Sequence, residues 1–386
     1  MKKTIAAILC AAMLATALVG CSDPNREFPW EPPATTDGSS EENATPDWSL
    51  NNQDNGFSTE FERAFSAFAP DTAMITAGDY TVTWAELYVH LRSNVNNLLY
   101  NYGDVSDWSM VGYDDIPYED MVLNSATDIA LMFKAVDYAA KTTGVKLSEE
   151  NLAMLQEDFA SMADSYGGEE EFYNALREQD GIYNFELFEY LMKTSFLASI
   201  LFEELYGIEG VLLTDEDVAT YTAYDGYMMA KHILRLKTTE DGEDEALREA
   251  EDILSQLESY DGDDFGAFFD ELMLMHTEDG GAAANPDGYL FQIGDMVDEF
   301  YGACASIDIG ELSGVVESEY GYHIIYRLPI DYDVIPFARL NAGDYRSLRY
   351  ITASVMFDNV LFDAKDKLIP EFTVDYYLID VGAIFQ

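Results

Sequence analysis

Two short apolar runs constrain this chain more than any other feature. Residues 227–236 and 322–328 read as strands, while the text on either side of this region has mainly helical spacing. Between the two runs lie helical stretches at 243–258 and 263–274, a Gly/Ala/Asn/Pro loop at 278–288 and a short helix near 295–304. Together they predict a compact α/β or α+β module of ordinary domain size over 226–330. Upstream, 75–82 reads as a strand pair around the Gly78-Asp79 turn, and Thr83 with Glu86 makes a capping-box pattern that opens a helix. Helical patterns follow at 118–141, 148–165, 169–178 and 184–205, punctuated by Gly144, Gly167-Gly168, Gly181 and Gly207. After Pro329 and Pro336 the chain returns to helix at 343–368 and ends on a β-rich stretch, 372–378. This last segment is too small to fold alone. It is expected to pack on the helical region at 57–225, which makes 226–330 an insertion and 331–386 the completion of the surrounding domain.

The N-terminus carries an address. Lys2 and Lys3 precede an apolar run from Ile5 to Val19, shorter than a membrane span and shaped like a secretion signal over 1–20. Leu18-Val19-Gly20-Cys21 then resembles the bacterial lipobox, in which the Cys is diacylated and becomes the new terminus. The resemblance implies that Cys21 anchors the protein to the cell membrane on its extracytoplasmic face, since paired acyl chains hold where one does not. Residues 21–56, rich in Pro and carrying eight acids against one Arg beyond Cys21, read as a solvated tether. With Cys10 removed and Cys21 lipidated, only Cys304 is left, so no intrachain disulfide is expected and stability must come from packing.

Charge excludes one class of partner. Against 20 Lys and Arg stand 73 Asp and Glu, a formal net charge of −53, and such a field repels a phosphate backbone. Nucleic acid is not an expected ligand. No paired metal-ligand spacing and no phosphate-cradling glycine loop is present, so neither metal nor other cofactor is expected.

Four histidines occur in the chain, and two of them, His232 and His323, sit inside the apolar strands. By periodicity alone each reads as a satisfied core residue. The order of motifs around them adds more. Ala230 to Leu234 reads A-K-H-I-L and Asn285 to Tyr289 reads N-P-D-G-Y; Gly294-Asp295-Met296 with Phe300 comes next, then G-E-L-S from Gly310 and E-Y-G-Y-H-I-I from Glu319. This series resembles a parvulin-type peptidyl-prolyl cis-trans isomerase. With the lipobox, tether and helical flanks, the chain resembles the PrsA-like foldase lipoproteins of Gram-positive bacteria, and 79–86 resembles the start of their SurA-like chaperone domain.

The resemblance implies a multidomain α+β protein, a mostly helical SurA-like chaperone domain with an inserted parvulin-type isomerase domain. It implies that His232 and His323 are the paired core histidines, that Asp279 stands where the family has Cys or Asp, and that Ser318 is the hydroxyl residue linked to the histidines. Met296, Phe300 and Tyr289 match the apolar pocket for the proline ring. Ala305 departs from the family's aromatic at that place. No basic pair follows the first strand, so recognition of phosphorylated Ser/Thr-Pro is not implied. The expected partners are unfolded or partly folded exported proteins with X-Pro segments, and the anchor's membrane. Two other readings stand beside this one: a holdase whose isomerase module is inactive, and a lipid-anchored solute-binding protein, which the lack of two similar α/β lobes weakens. For the C-terminal helix the alternative to packing on the flank is self-association into a homodimer.

Overall fold

The computed structural model describes residues 60–385 except 104, 106, 113–115, 238–242 and 375–378. The signal segment, Cys21, the tether and part of the β-rich end at 372–378 lie outside the described residues. Along the chain run α1 (Glu60–Phe65), the hairpin β1 (Ala73–Ala77) and β2 (Tyr80–Thr83), and then the helices α2 (Trp84–Tyr102), α3 (Tyr118–Thr143) and α4 (Glu149–Tyr166). Next come α5 (Glu169–Ala175), α6 (Phe185–Tyr206), α7 (Asp215–Tyr221), β3 (Met228–Leu236), α8 (Glu243–Glu258) and α9 (Phe265–His276). The chain continues through β4 (Tyr289–Phe291), α10 (Asp298–Ser306), β5 (Leu312–Glu317), β6 (Gly321–Leu328) and α11 (Phe337–Asn341). It ends with α12 (Leu348–Asp366), β7 (Glu371–Phe372) and α13 (Val381–Ile384). It divides into two compact units, one made of residues up to Glu204 together with those from Phe357 on, the other Leu205–Met356.

The first unit is helical around a small sheet in the order β2-β1-β7. β7 pairs antiparallel with β1, Ile75 opposite Phe372, so both ends of the chain contribute to one sheet. At the start of α2 the Thr83 amide donates to the Glu86 carboxylate at 2.8 Å, while the Thr83 hydroxyl accepts from the Glu86 amide. The same carboxylate takes the Lys134 ammonium of α3 at 2.7 Å. Lys134 also donates to the Tyr190 hydroxyl of α6, which donates to Asp137 at 3.1 Å. A helix cap thus becomes one end of a polar network that ties three helices, and the buried Lys134 keeps a partner for its charge.

The second unit holds a four-stranded antiparallel sheet in the order β4-β3-β6-β5. Side chains alternate across it. One face carries Ile233 and Ile324 against Ile253 and Leu257 of α8 and Phe269 and Leu272 of α9. The other carries Met228, Ala230 and Ile325 against Phe300 and Cys304 of α10. Cys304 is fully buried, and burial pushes its thiol up to about 11, so it stays protonated and packs as a small apolar residue.

Two features differ from the sequence reading. Half of the sheet, β4 and β5, carries no strand signal. β4 has only three residues, all buried, and so no alternation to detect; β5 contains Gly314 at a register shift between Leu312 and Val315. The unit is also broader than 226–330. Arg349 explains this extension: its guanidinium meets Asp215, Asp333 and the Leu213 carbonyl, each at 2.6 Å, so the segments before and after the sheet close on a single side chain.

Candidate active site

His232 on β3 and His323 on β6 face the α10 side of the sheet because the register sets His232 opposite Ile325 and Leu234 opposite His323, all on one pleat face. The two imidazoles are therefore diagonal neighbours, with Nδ1 to Nδ1 at 3.2 Å. Both are largely buried, 8 % and 4 % exposed. Phe300 lies edge-on to each ring, 5.1 Å from His232 and 5.6 Å from His323 between centroids.

Asp279 reaches this pair through strand pairing that stops early. β4 pairs with β3 only as far as Ala230. Past that point the free edge of β3 is taken by the 277–279 segment: Glu278 donates its amide to the Leu234 carbonyl at 2.9 Å, and the Leu234 amide donates to the Thr277 hydroxyl. This seats the Asp279 carboxylate at 3.0 Å from His232 Nε2. The Tyr289 hydroxyl donates to the same oxygen at 2.5 Å, and the Gly281 amide donates to the other.

The hydrogen bonds run one way. Asp279 is ionised and can only accept, so His232 Nε2 carries a proton and its Nδ1, in the neutral ring, accepts from His323 Nδ1–H. His323 Nε2 then accepts from the Ser318 hydroxyl at 2.7 Å, and Ser318 accepts from the Tyr320 amide. Every buried donor and acceptor in the series is satisfied by this arrangement. The electrostatics agree. Burial works against the Asp279 charge, but the bonds from His232, Tyr289 and Gly281 outweigh it and hold the carboxyl well below the usual range. Burial, with His232 alongside, pushes His323 down to about 4, and burial with the neighbouring carboxylate pushes Tyr289 up.

All seven sequence-designated residues of this unit gather here. Met296 packs on the Phe300 cluster as a half-buried wall, while Phe300 and Tyr289, only 2 % and 5 % exposed, lie beneath the surface. Tyr289 adds a polar contact to Asp279 that no sequence pattern announces. Ala305 sits on the exposed side of α10, opposite Phe300 and Cys304, so the departure there leaves this cluster untouched. Sequence reasoning missed Thr277, Gly281 and Phe337. The last stands 5.3 Å edge-on to the Tyr289 ring, and its signal was an apolar residue directly after Pro336, where the domain was read as having ended.

A four-stranded antiparallel sheet with a Ser–His–His–Asp series on its α10 face is the arrangement of a parvulin-type isomerase domain. Residues 232–328 match the family model of the rotamase, a PPIC-type PPIase domain. The chain therefore carries a peptidyl-prolyl cis-trans isomerase domain of that type over 232–328. It is similar to the foldase protein PrsA of Halalkalibacterium halodurans, 33 % identical over 227 residues that make up 58 % of this chain and 61 % of the relative. The foldase protein PrsA of Oceanobacillus iheyensis is 33 % identical over 189 residues, 47 % of this chain and 55 % of that one. The chain thus spans little more than half the length of these curated relatives. Among solved structures, the peptidylprolyl isomerase PrsA of Bacillus anthracis aligns over 62 % of this chain and 97 % of its own, at 22 % identity and a TM-score of 0.26.

Proposed function

We propose that this protein is a membrane-anchored, extracytoplasmic peptidyl-prolyl isomerase and foldase that assists exported proteins. The observation that carries the reading is the directed Ser318–His323–His232–Asp279 series inside the matched domain. The similarity to foldase proteins supports the wider role.

The chemistry asks little of reactive groups. Turning an X-Pro bond breaks nothing; it takes the amide out of the planar, charge-separated resonance form across ~18–20 kcal/mol. An environment that disfavours charge separation lowers that barrier. Met296 with Phe300 behind it supplies a dry seat for the ring, and the ionised Asp279 opposes negative charge on the substrate carbonyl oxygen. The histidines hold Asp279 in place and need not move a proton. Anchoring through Cys21 rests on the lipobox resemblance; among the described residues no helix is long and apolar enough to cross a membrane.

The test is cis/trans exchange of a short X-Pro peptide with the full chain, in parallel with suppression of aggregation of an unfolded protein. Acceleration above the spontaneous rate is expected. A spontaneous rate together with aggregation suppression would sink the isomerase reading and leave the holdase. For the anchor, Cys21→Ala is expected to release the protein from the membrane fraction, and retention would overturn that part.

A further inference from the structure

We propose that Phe337, which lies beyond the matched domain, is a positioning residue of the isomerase site, seating Tyr289 so that its hydroxyl holds Asp279 over His232. The proposal rests on the isomerase reading above and adds a residue to it.

The Tyr289 ring is held on two sides. His232 stands 5.6 Å from it and Phe337 5.3 Å, both edge-on, so the phenol is fixed in plane and tilt. Its hydroxyl donates to the Asp279 carboxylate at 2.5 Å, with the Asn285 side chain as a second neighbour. The space there is tight enough that a side chain at Gly281 would collide with the hydroxyl. Asn285, which bridges to the Gly281 carbonyl at 3.0 Å, steadies the same loop. Remove the Phe337 ring and one of the two walls that set the phenol's tilt is gone, while the hydrogen-bonded groups themselves remain.

Phe337 is delivered there by a segment tied along its length. The Asp331 amide donates to Met229 Sδ, the Arg349 amide to the Tyr332 carbonyl at 2.8 Å and the Leu348 amide to the Val334 carbonyl at 3.1 Å. The Arg349 guanidinium grips Asp333 and Asp215. Pro336, a buried residue with φ of −58°, starts the turn of helix that presents Phe337. The line of support therefore runs from Arg349 through 331–337 to Phe337, Tyr289, Asp279 and His232. Three titratable groups bear on Asp279: His232 of β3, Tyr289 of β4 and, one step behind, His323 of β6.

The experiment uses the full chain and four variants, Phe337→Ala, Phe337→Leu, Tyr289→Phe and the Phe337→Ala/Tyr289→Phe double. Two readouts are taken: steady-state isomerisation of an X-Pro peptide, and the pH titration of the Asp279 carboxyl carbon followed by its NMR shift. Phe337→Ala is expected to lower kcat roughly tenfold with KM little changed, the pattern of a misplaced transition-state group. It should also move the carboxyl titration upward toward that of Tyr289→Phe. Phe337→Leu, which refills the space, should recover most of both. In the double variant the second substitution should add little, because both act through one hydrogen bond. Parent kcat and parent titration in a folded Phe337→Ala protein would overturn the proposal, as would fully additive losses in the double variant. Should Phe337→Ala fail to fold, Phe337→Val, which stays apolar but leaves the place of the ring open, stands in for it: losses of the same sign are expected in both readouts, and parent kcat with parent titration would overturn the proposal. A parent that shows only the spontaneous rate refutes the isomerase reading instead, and the carboxyl titration still decides this one.

Discussion

At the level of single residues, the site sets a half-buried wall against enclosed groups that support it. Met296 is half-buried and Phe300 fully enclosed, so truncating the two has different consequences. Met296→Ala should lower kcat/KM with an unchanged melting transition, and parent activity would place the proline seat elsewhere. Phe300→Ala removes a ring packed on both histidines and should cost about 3–5 kcal/mol of stability, measured by urea unfolding. Ser318→Ala leaves His323 Nε2 without its donor at a buried position, a loss of about 1–3 kcal/mol with substrate contacts intact. The positions of His232, Asp279, Ser318 and His323 were legible because the motifs preserve their order along the chain. The resemblance also implied the histidine pair and its link to Ser318, but what holds Asp279 was not legible. That Tyr289 turns its hydroxyl to Asp279, ten residues back along the chain, depends on the path of the 279–288 loop, and no local propensity encodes that path.

Among the elements, legibility followed length and amphipathicity. Thr83 with Glu86 marked a helix start that the structure repeats as a capping box, because a cap is a local device of four residues; the structure adds a second box at Ser148, the head of α4. β4 and β5 were invisible for the opposite reason, as their strand character comes from pairing with β3 and β6. Gly321 shows what tertiary pairing demands of one residue. It opens β6 with φ of +153°, opposite Leu236, and a Cβ there would drive into the Arg235 carbonyl. Gly321→Ala must therefore strain the backbone or shift the strand that carries His323. A loss of about 1–3 kcal/mol is expected, read from denaturant unfolding of the full chain, with a shift in the His323 ring resonances. Unaltered stability would mean that the start of β6 is free to rearrange.

For the molecule as a whole, the two units differ in their response to acid. In the second unit His323 is held neutral, with its pKa lowered from 6.5 to about 4. A lowered folded value means the contribution is complete above pH 6.5 and drains away as pH falls toward 4, because the unfolded chain gains a proton that the folded one refuses. By pH 5 this amounts to about 2 kcal/mol, or about 4–8 °C in the melting of a unit of this size. Asp279, Asp333 and Asp344 are lowered as well and begin to add to the loss only as pH approaches 3.8. The first unit is balanced differently. His90 is lowered to about 4, chiefly by burial with Lys134 nearby, and pulls the same way as His323. Against it, burial raises Asp358 to about 6, and raises Asp137 and Asp180 too. A raised carboxyl favours the folded state as pH falls, so these groups offset His90. Relief of the repulsion among 73 acids acts on both units alike. Calorimetry of the full chain at pH 7 and pH 5 should thus show the transition of Leu205–Met356 moving down relative to the other. Trp84 and Trp108 are buried in the first unit and the sequence places no Trp in 205–356, so tryptophan fluorescence assigns that unit's transition. Isomerisation should fail with the other transition. Should the tryptophan-reported transition be the one that falls, or should the two move together, the neutral His323 does not set the acid response of the isomerase unit.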